Sequence, residues 1–234
     1  MSDRLSDPRF VRDQYNSESG LTTRASIWQP TAEGLTPHDV VLSKLREYHP
    51  RGLLEVGCGT GALAERIAGE LPTQVTCVDQ SERMVELTAG RGICALVADA
   101  GALPFDDDSY DAVLAAWMLY HVADLDQTLS EIRRVLRPGG LFVAVTNGDE
   151  HIADLLAAAG EPTVRSQFSR ENGEASLRRH FDHVDADHLR TRAVADHGQA
   201  SRYLASSIRH SAAQLPPYDG IREFTGAVTV FTAR

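Results

Sequence analysis

Glycines 57, 59 and 61, with Glu55 two residues before the first, are the residues of this 234-residue chain whose types and spacing most directly imply chemistry. They lie in Leu53-Leu54-Glu55-Val56-Gly57-Cys58-Gly59-Thr60-Gly61, where an apolar run gives way to a helical pattern. Glycine turns tightly and admits a ligand against the backbone without a Cβ clash. The helix that follows offers free N–H groups at its start. Gly57, Gly59 and Ala62 also match the G-x-G-x-x-A variant of a dinucleotide fingerprint, so the loop by itself suits two cofactor classes. The surrounding acids divide them. Glu55 can meet a cationic amine. Asp79 ends the second apolar run, placed to accept both hydroxyls of a ribose. Asp99 ends the third, where an adenine amino group would lie. An anionic pyrophosphate gains nothing from Glu55, whereas a ligand with an ammonium, a sulfonium, a ribose and an adenine suits all three.

These residues need a sheet to hold them. Short apolar runs at Leu53–Val56, Val75–Val78, Ile93–Ala98, Asp111–Trp117 and Leu141–Val145 alternate with helical patterns. Leu63, Ile67 and Leu71 mark one helix face, stopped before Pro72. Ser81 suits the cap of a helix carrying Met84, Val85 and Leu87 inward. Leu125, Leu129, Ile132 and Leu136 mark another, stopped by Pro138-Gly139-Gly140. Repeats of this size imply βαβ crossovers and a parallel sheet covered on both faces. In an open α/β sheet the ligand crevice lies at the carboxyl ends of the strands, where the glycine loop sits. The segment before residue 51 is polar, with a helix expected over 36–48. Residues 147–225 mix helical stretches with Arg- and His-rich segments, and Gly226–Thr232 reads as a closing strand. The expected organisation is one domain. An N-terminal helical segment (1–50) closes the cofactor pocket, and an α/β core (51–146) binds the cofactor. A cap inserted at 147–225 selects the substrate, and 226–234 closes the sheet.

Composition narrows the partners. Hydrophobic residues make up 42% and charged residues 24%, ordinary globular usage. No apolar run approaches the roughly 20 residues of a membrane span, and the first residues lack a secretory apolar core, so a cytoplasmic protein without membrane insertion is expected. The net charge is −10, and residues 51–150 carry 16 acids against 7 bases. Nucleic-acid binders usually show a basic patch, so no nucleic-acid partner is expected. All but one of the 23 basic residues are Arg, which points to a GC-rich bacterial source. Cys58, Cys77 and Cys94 lack metal spacing and are expected as buried thiols. His180, His183, His188, His197 and His210 lack a convincing ligand set, and Asp106-Asp107-Asp108 reads as a solvated turn, so no metal is expected. The choice between monomer and homodimer stays open.

Glu55-Val-Gly-Cys-Gly-Thr-Gly, Val78-Asp79-Gln80-Ser81, Asp99-Ala-Gly-Ala-Leu-Pro-Phe105, Ser109-Tyr-Asp-Ala-Val113 and Leu136-Arg-Pro-Gly-Gly-Leu141 occur in that order. Together they resemble the class I S-adenosylmethionine-dependent methyltransferases, in the ubiquinone/menaquinone-biosynthesis branch, over about 50–146. The resemblance implies a Rossmann-like α/β fold. Its seven-stranded, mostly parallel sheet would have order 3-2-1-4-5-7-6, with helices on both faces and a small helical cap. It implies that Glu55, Gly57, Cys58 and Gly59 hold the methionine part of S-adenosylmethionine. Asp79 would bind the ribose, with Gln80 and Met84 beside ribose and adenine. Asp99 and Ala100 would meet the adenine, and backbone near Ala116 the amino-acid end. The product would be S-adenosylhomocysteine.

The implied reaction transfers a methyl group to an O, N or C atom of a small-molecule acceptor, a bacterial secondary metabolite or a quinone-like compound. An RNA methyltransferase and a non-catalytic cofactor-binding regulator are the rival readings. Methyl transfer from a sulfonium is an in-line displacement that the protein mainly positions, and a base is needed only if the acceptor must lose a proton. In similar proteins the stretch matching Trp117-Met118-Leu119-Tyr120-His121 faces the substrate, which makes His121 the candidate base. Trp28, Trp117, Phe168, Asn172 and Tyr203 are candidate acceptor-pocket walls. Similar proteins close the cofactor pocket with an N-terminal Tyr and Arg, roles that Tyr15 and Arg24 would take here. A Tyr15→Phe, Arg24→Ala double variant is then expected to lose cofactor affinity in calorimetry. Wild-type affinity in that variant refutes the assignment.

Overall fold

The structure, a computed structural model, describes residues 26–206 and 214–234. Tyr15, Arg24 and His210 lie outside the described residues. The strands are β1 (Trp28–Gln29), β2 (Gly52–Val56), β3 (Gln74–Asp79), β4 (Cys94–Val97), β5 (Tyr110–Ala116), β6 (Leu136–Asn147), β7 (Val184–Asp196) and β8 (Ile221–Ala233). The helices are α1 (Pro37–Tyr48), α2 (Ala62–Glu70), α3 (Glu82–Gly90), α4 (Leu125–Val135), α5 (Ala153–Ala158), α6 (Gly173–Leu177) and α7 (His197–Ala205).

One sheet runs β4-β3-β2-β5-β6-β8-β7-β1. Neighbours from β4 to β6 are parallel, β8 is antiparallel to both β6 and β7, and β1 is antiparallel to β7. The expectation of seven strands is thus corrected to eight. The extra strand is the two-residue β1, too short to carry a period-two pattern.

Alternation along the central strands divides the core. Leu54, Val56, Val113 and Ala115 face one side, with Leu129, Ile132 and Phe142. Leu53, Ala112 and Leu114 face the other, with Val41, Leu45 and Ile67. This two-sided burial is what a parallel sheet with helical crossovers requires. Helix α1 begins in a capping box, in which Thr36 Oγ1 accepts from Asp39 N–H and Asp39 accepts from Thr36 N–H. Helix α4 ends at Val135, before the proline, because Pro138 disfavours helical geometry at Arg137. Strand β4 is the free edge of the sheet, and Cys94 on it is exposed, which corrects the expectation of a buried thiol there.

The segment 147–225 supplies sheet as well as helices. Strand β7 carries Arg190 and Arg192 outward and Thr191, Ala193 and Ala195 inward. That alternation is a strand signature among Arg and His residues that read as polar. Strand β6 pairs with β8 only from Val228 onward, whereas β7 stays paired to Ile221. The β7–β8 ribbon therefore runs past the carboxyl end of β6. Beyond it Ile27, Ile152, Leu155, Leu156, Tyr203, Leu204 and Phe224 form a separate small core. The ribbon depends on Gly226, where a Cβ would stand 2.2 Å from Thr191 Oγ1 and 2.4 Å from the Trp28 ring. Gly226→Ala is expected to cost ~1–3 kcal/mol by overpacking, measured by urea unfolding. Unchanged stability would mean that Trp28 can swing clear.

Candidate cofactor and acceptor site

The carboxyl ends of β2, β3, β5 and β6 converge on the glycine loop. Gly57 adopts φ 71° and Gly61 φ 74°, left-handed values that side chains resist. A Cβ on Gly57 would also lie 2.8 Å from Met118, so β2 and the segment after β5 touch only because that atom is missing. Gly61 caps α2 without a side-chain hydrogen bond, leaving the first N–H groups of the helix open.

Asp79 organises the loop. One carboxylate oxygen accepts from Gly59 N–H at 2.9 Å and the other from Ser81 N–H at 3.0 Å. Gly57 N–H donates to Val78 O at 2.8 Å, and Thr88 Oγ1 donates to Gly59 O at 3.1 Å. The Gln80 backbone N–H also faces this carboxylate, and the acceptor capacity that remains suits ribose hydroxyls. Burial pushes the Asp79 carboxyl up, while its backbone donors pull it down.

Glu55 is 2% exposed and has no cationic partner among the described residues; the Cys77 thiol stands 3.9 Å from Oε2. Burial, followed by the nearby Asp79 charge, pushes its carboxyl up to about 8. A buried acid without a counter-charge, beside an Asp and a glycine cradle, fits a ligand bearing a cation and a ribose.

The remaining sequence candidates spread around this centre. Asp99 is exposed at the end of β4, and its Oδ1 accepts from Gly101 N–H at 2.8 Å. Ala100 packs partly buried against the core, Gln80 is exposed, and Met84 is fully buried. Cys58 is buried, with Sγ 3.5 Å from Thr88 Oγ1. Ala116 ends β5 half-buried, and Trp117 follows with φ 54°, its indole Nε1 donating to Asn147 Oδ1 at 3.0 Å. His121 closes a single 3-10 turn, its ring edge-on to Tyr120 at 4.5 Å.

Trp28 and Tyr203 meet in the cap, 6.1 Å apart, with the His151 ring 4.7 Å from Trp28. Burial lowers the His151 pKa to about 4, so the ring is neutral at pH 7. Phe168 is corrected from pocket wall to core residue: it is fully buried against Phe231. Asn172 is corrected to a loop brace, its amide spent on Ser169 N–H and Ser166 O. The long-range partner Phe231 decides the direction of Phe168, whereas Asn172 is turned by partners only three and six residues away. His38, Asn147, His151 and Thr88 carry no sequence signal, since their meaning comes from partners 29 to 79 residues away. Two surface hollows lie elsewhere, beside Lys44 and Asp187 and beside Arg133 and His180.

Residues 54–144 match a family model described as a methyltransferase domain. The chain is 34% identical over 146 residues to a malonyl-[acyl-carrier protein] O-methyltransferase of Geobacter sulfurreducens, covering 56% of this chain and 55% of that one. It is 41% identical over 109 residues to a ubiquinone/menaquinone biosynthesis C-methyltransferase of Geotalea daltonii, covering 42% and 46%. The YcgJ protein of Bacillus shares the fold at TM-score 0.60 and 17% identity, over 83% of this chain and 96% of that one. Over residues 54–144 the chain is thus similar to methyltransferases in sequence. It spans about half the length of the curated relatives named here.

Within residues 54–144 the buried acid has a measurable signature. From its ordinary value of 4.5 to about 8, folded Glu55 holds a proton that the unfolded chain has lost. Its contribution is therefore fully favourable below pH 4.5 and declines as pH rises to about 8. Glu55→Gln is expected to raise stability at pH 9 by roughly 1–3 kcal/mol and to change little at pH 4. Urea midpoints at both pH values check this, and an equal effect at both would refute it.

Proposed function

We propose that the protein transfers a methyl group from S-adenosylmethionine to an O, N or C atom of a small molecule, a bacterial secondary metabolite or a quinone-like compound. The observation carrying this reading is Glu55, a carboxyl buried beside Asp79 with no cation against it among the described residues. S-adenosylmethionine supplies a methyl group on a positively charged sulfur, already activated for in-line displacement. Glu55 would take the cationic amino-acid end, and the Gly57–Gly59 backbone would pack against it. Asp79 would accept the ribose hydroxyls. Asp99 and Ala100 would border the adenine with Gln80 and Met84, and Ala116 the methionine end. Tyr15 and Arg24 would close the pocket.

The acceptor would enter above β5 and β6, between Trp117 and the cap residues Trp28 and Tyr203. Small-molecule and carrier-bound acceptors in the names of relatives support this class, among them the O-methyltransferase cnsE of Penicillium expansum. The chain's part in catalysis is to orient the two reactants and exclude water between them.

Calorimetry is expected to show binding of S-adenosylmethionine and S-adenosylhomocysteine but not NADH. Asp79→Ala is expected to weaken it at least tenfold, about 1.4 kcal/mol. Near pH 7 binding should release a proton, because a cation beside Glu55 favours its carboxylate; buffers of different ionisation enthalpy read this. S-adenosylhomocysteine formation with a naphthoquinol, a catechol or a malonyl-carrier substrate then tests turnover. Binding without turnover on any acceptor favours a regulator, and no binding refutes the proposal.

A further inference from the structure

Helix α1 packs across β6 and β8, and its start stands near the crevice at the carboxyl end of the sheet. His38 is its second residue. The imidazole faces the Trp117 indole, with ring centroids 5.3 Å apart and planes at 58°. Among the described residues this ring contact is its only partner; neither ring nitrogen makes a hydrogen bond. Neither nitrogen is a sealed buried atom, so both are open to a bound hydroxyl.

Trp117 is held firmly in place to meet it. Its backbone N–H donates to Val145 O at 2.8 Å and its indole to Asn147 at 3.0 Å. Its left-handed φ of 54° is unfavourable for an aromatic residue, and such backbone strain clusters at functional sites. The next residue, Met118, lies against Gly57 of the cofactor loop. One dipeptide thus touches the cofactor loop with one side chain and His38 with the other. His121, the candidate from sequence, belongs to a segment whose Met118, Tyr120 and Val122 pack into the core on the opposite face of the sheet.

We propose that His38 is the base that accepts the proton of an acceptor hydroxyl of phenol- or enol-like acidity, bound on the Trp117 ring. The proposal rests on the methyltransferase reading above. A ring nitrogen of His38 takes the hydroxyl proton as the oxygen–methyl bond forms. The methyl–sulfur bond breaks with its electron pair going to sulfur, and the imidazolium then passes the proton to solvent. The charged groups around the ring are Asp39 on α1 and Arg66 on α2, which pair with each other at 2.6 Å. Burial and the Arg66 charge outweigh Asp39 and lower the His38 pKa from 6.5, so the ring is neutral at pH 7. A base this weak matches an acidic hydroxyl and not an alkanol.

The probe is 4-nitrocatechol, whose ionisation changes its visible absorbance. In the wild-type complex with S-adenosylhomocysteine, the bound probe is expected to ionise about one pH unit below the free probe, as general-base pairing requires. The His38 imidazole, followed by NMR, should become protonated in step. His38→Gln should abolish both signals while leaving S-adenosylhomocysteine affinity within about threefold. With S-adenosylmethionine, the same variant should lower kcat by ~100-fold at pH values well below the probe's own ionisation and shift the acidic limb of the rate up to that ionisation, whereas in the wild type the limb lies below pH 6.5. His121→Gln should keep that limb. A wild-type rate and pH profile in His38→Gln overturns the proposal. So does loss of S-adenosylhomocysteine affinity, which would place His38 on the cofactor, or a probe that fails to bind or to ionise. Failure of S-adenosylhomocysteine to bind the wild type overturns the methyltransferase reading itself and is read separately.

Discussion

Asp79 accepts the Gly59 N–H on one carboxylate oxygen and the Ser81 N–H on the other, and so ties the loop after β2 to the start of α3. Both neighbours need this tie. The glycine loop has left-handed backbone at Gly57, Gly59 and Gly61 and few side chains of its own to hold it. Helix α3 gains a fixed origin next to its Ser81 cap. A carboxylate can do this and still offer acceptor positions outward. The group that orders the loop is thus the one proposed to meet the ligand, so folding and binding would share one residue.

Glu55 gives this arrangement its electrostatic direction. It sits on a central strand in a layer otherwise lined by Leu53, Cys77 and Leu114, where ionisation costs heavily. The site is poised for a cation, which would offset the repulsion between Glu55 and Asp79. Two further groups of contacts surround this centre. Trp117-Met118 joins the end of β5 to Gly57 and Asn147. The overhanging β7–β8 ribbon gathers Trp28, His151 and Tyr203 beside its own small core, which is separate from the two layers of the central sheet.

Local pattern revealed the parallel core well. Leu63 and Ile67, four residues apart, are buried on α2, and the Thr36 capping box opens α1 at the start of the expected helix. Strand β7 was hidden because its outward face is Arg-rich and its inward face is only Thr and Ala over 191–195. Cys94 looked buried because its run is apolar, but the run forms an edge strand. Phe168 looked like a wall because an aromatic in a cap invites that reading, yet Phe231 covers it.

What the sequence determined by itself is what neighbours along the chain enforce. These are the glycines where backbone must turn left-handed, the acids closing strands β3 and β4, the helix caps, and the order of strand and helix units. Periodicity and capping act over about four residues, so they are written locally. Tertiary structure alone decided that Glu55 lacks a counter-charge among the described residues, that Trp117 reaches Asn147 and His38, and that β8 outruns β6. Those facts depend on strand register and on helices packed across strands distant in sequence. Burial and pairing of that kind are properties of the assembled sheet and not of any one segment.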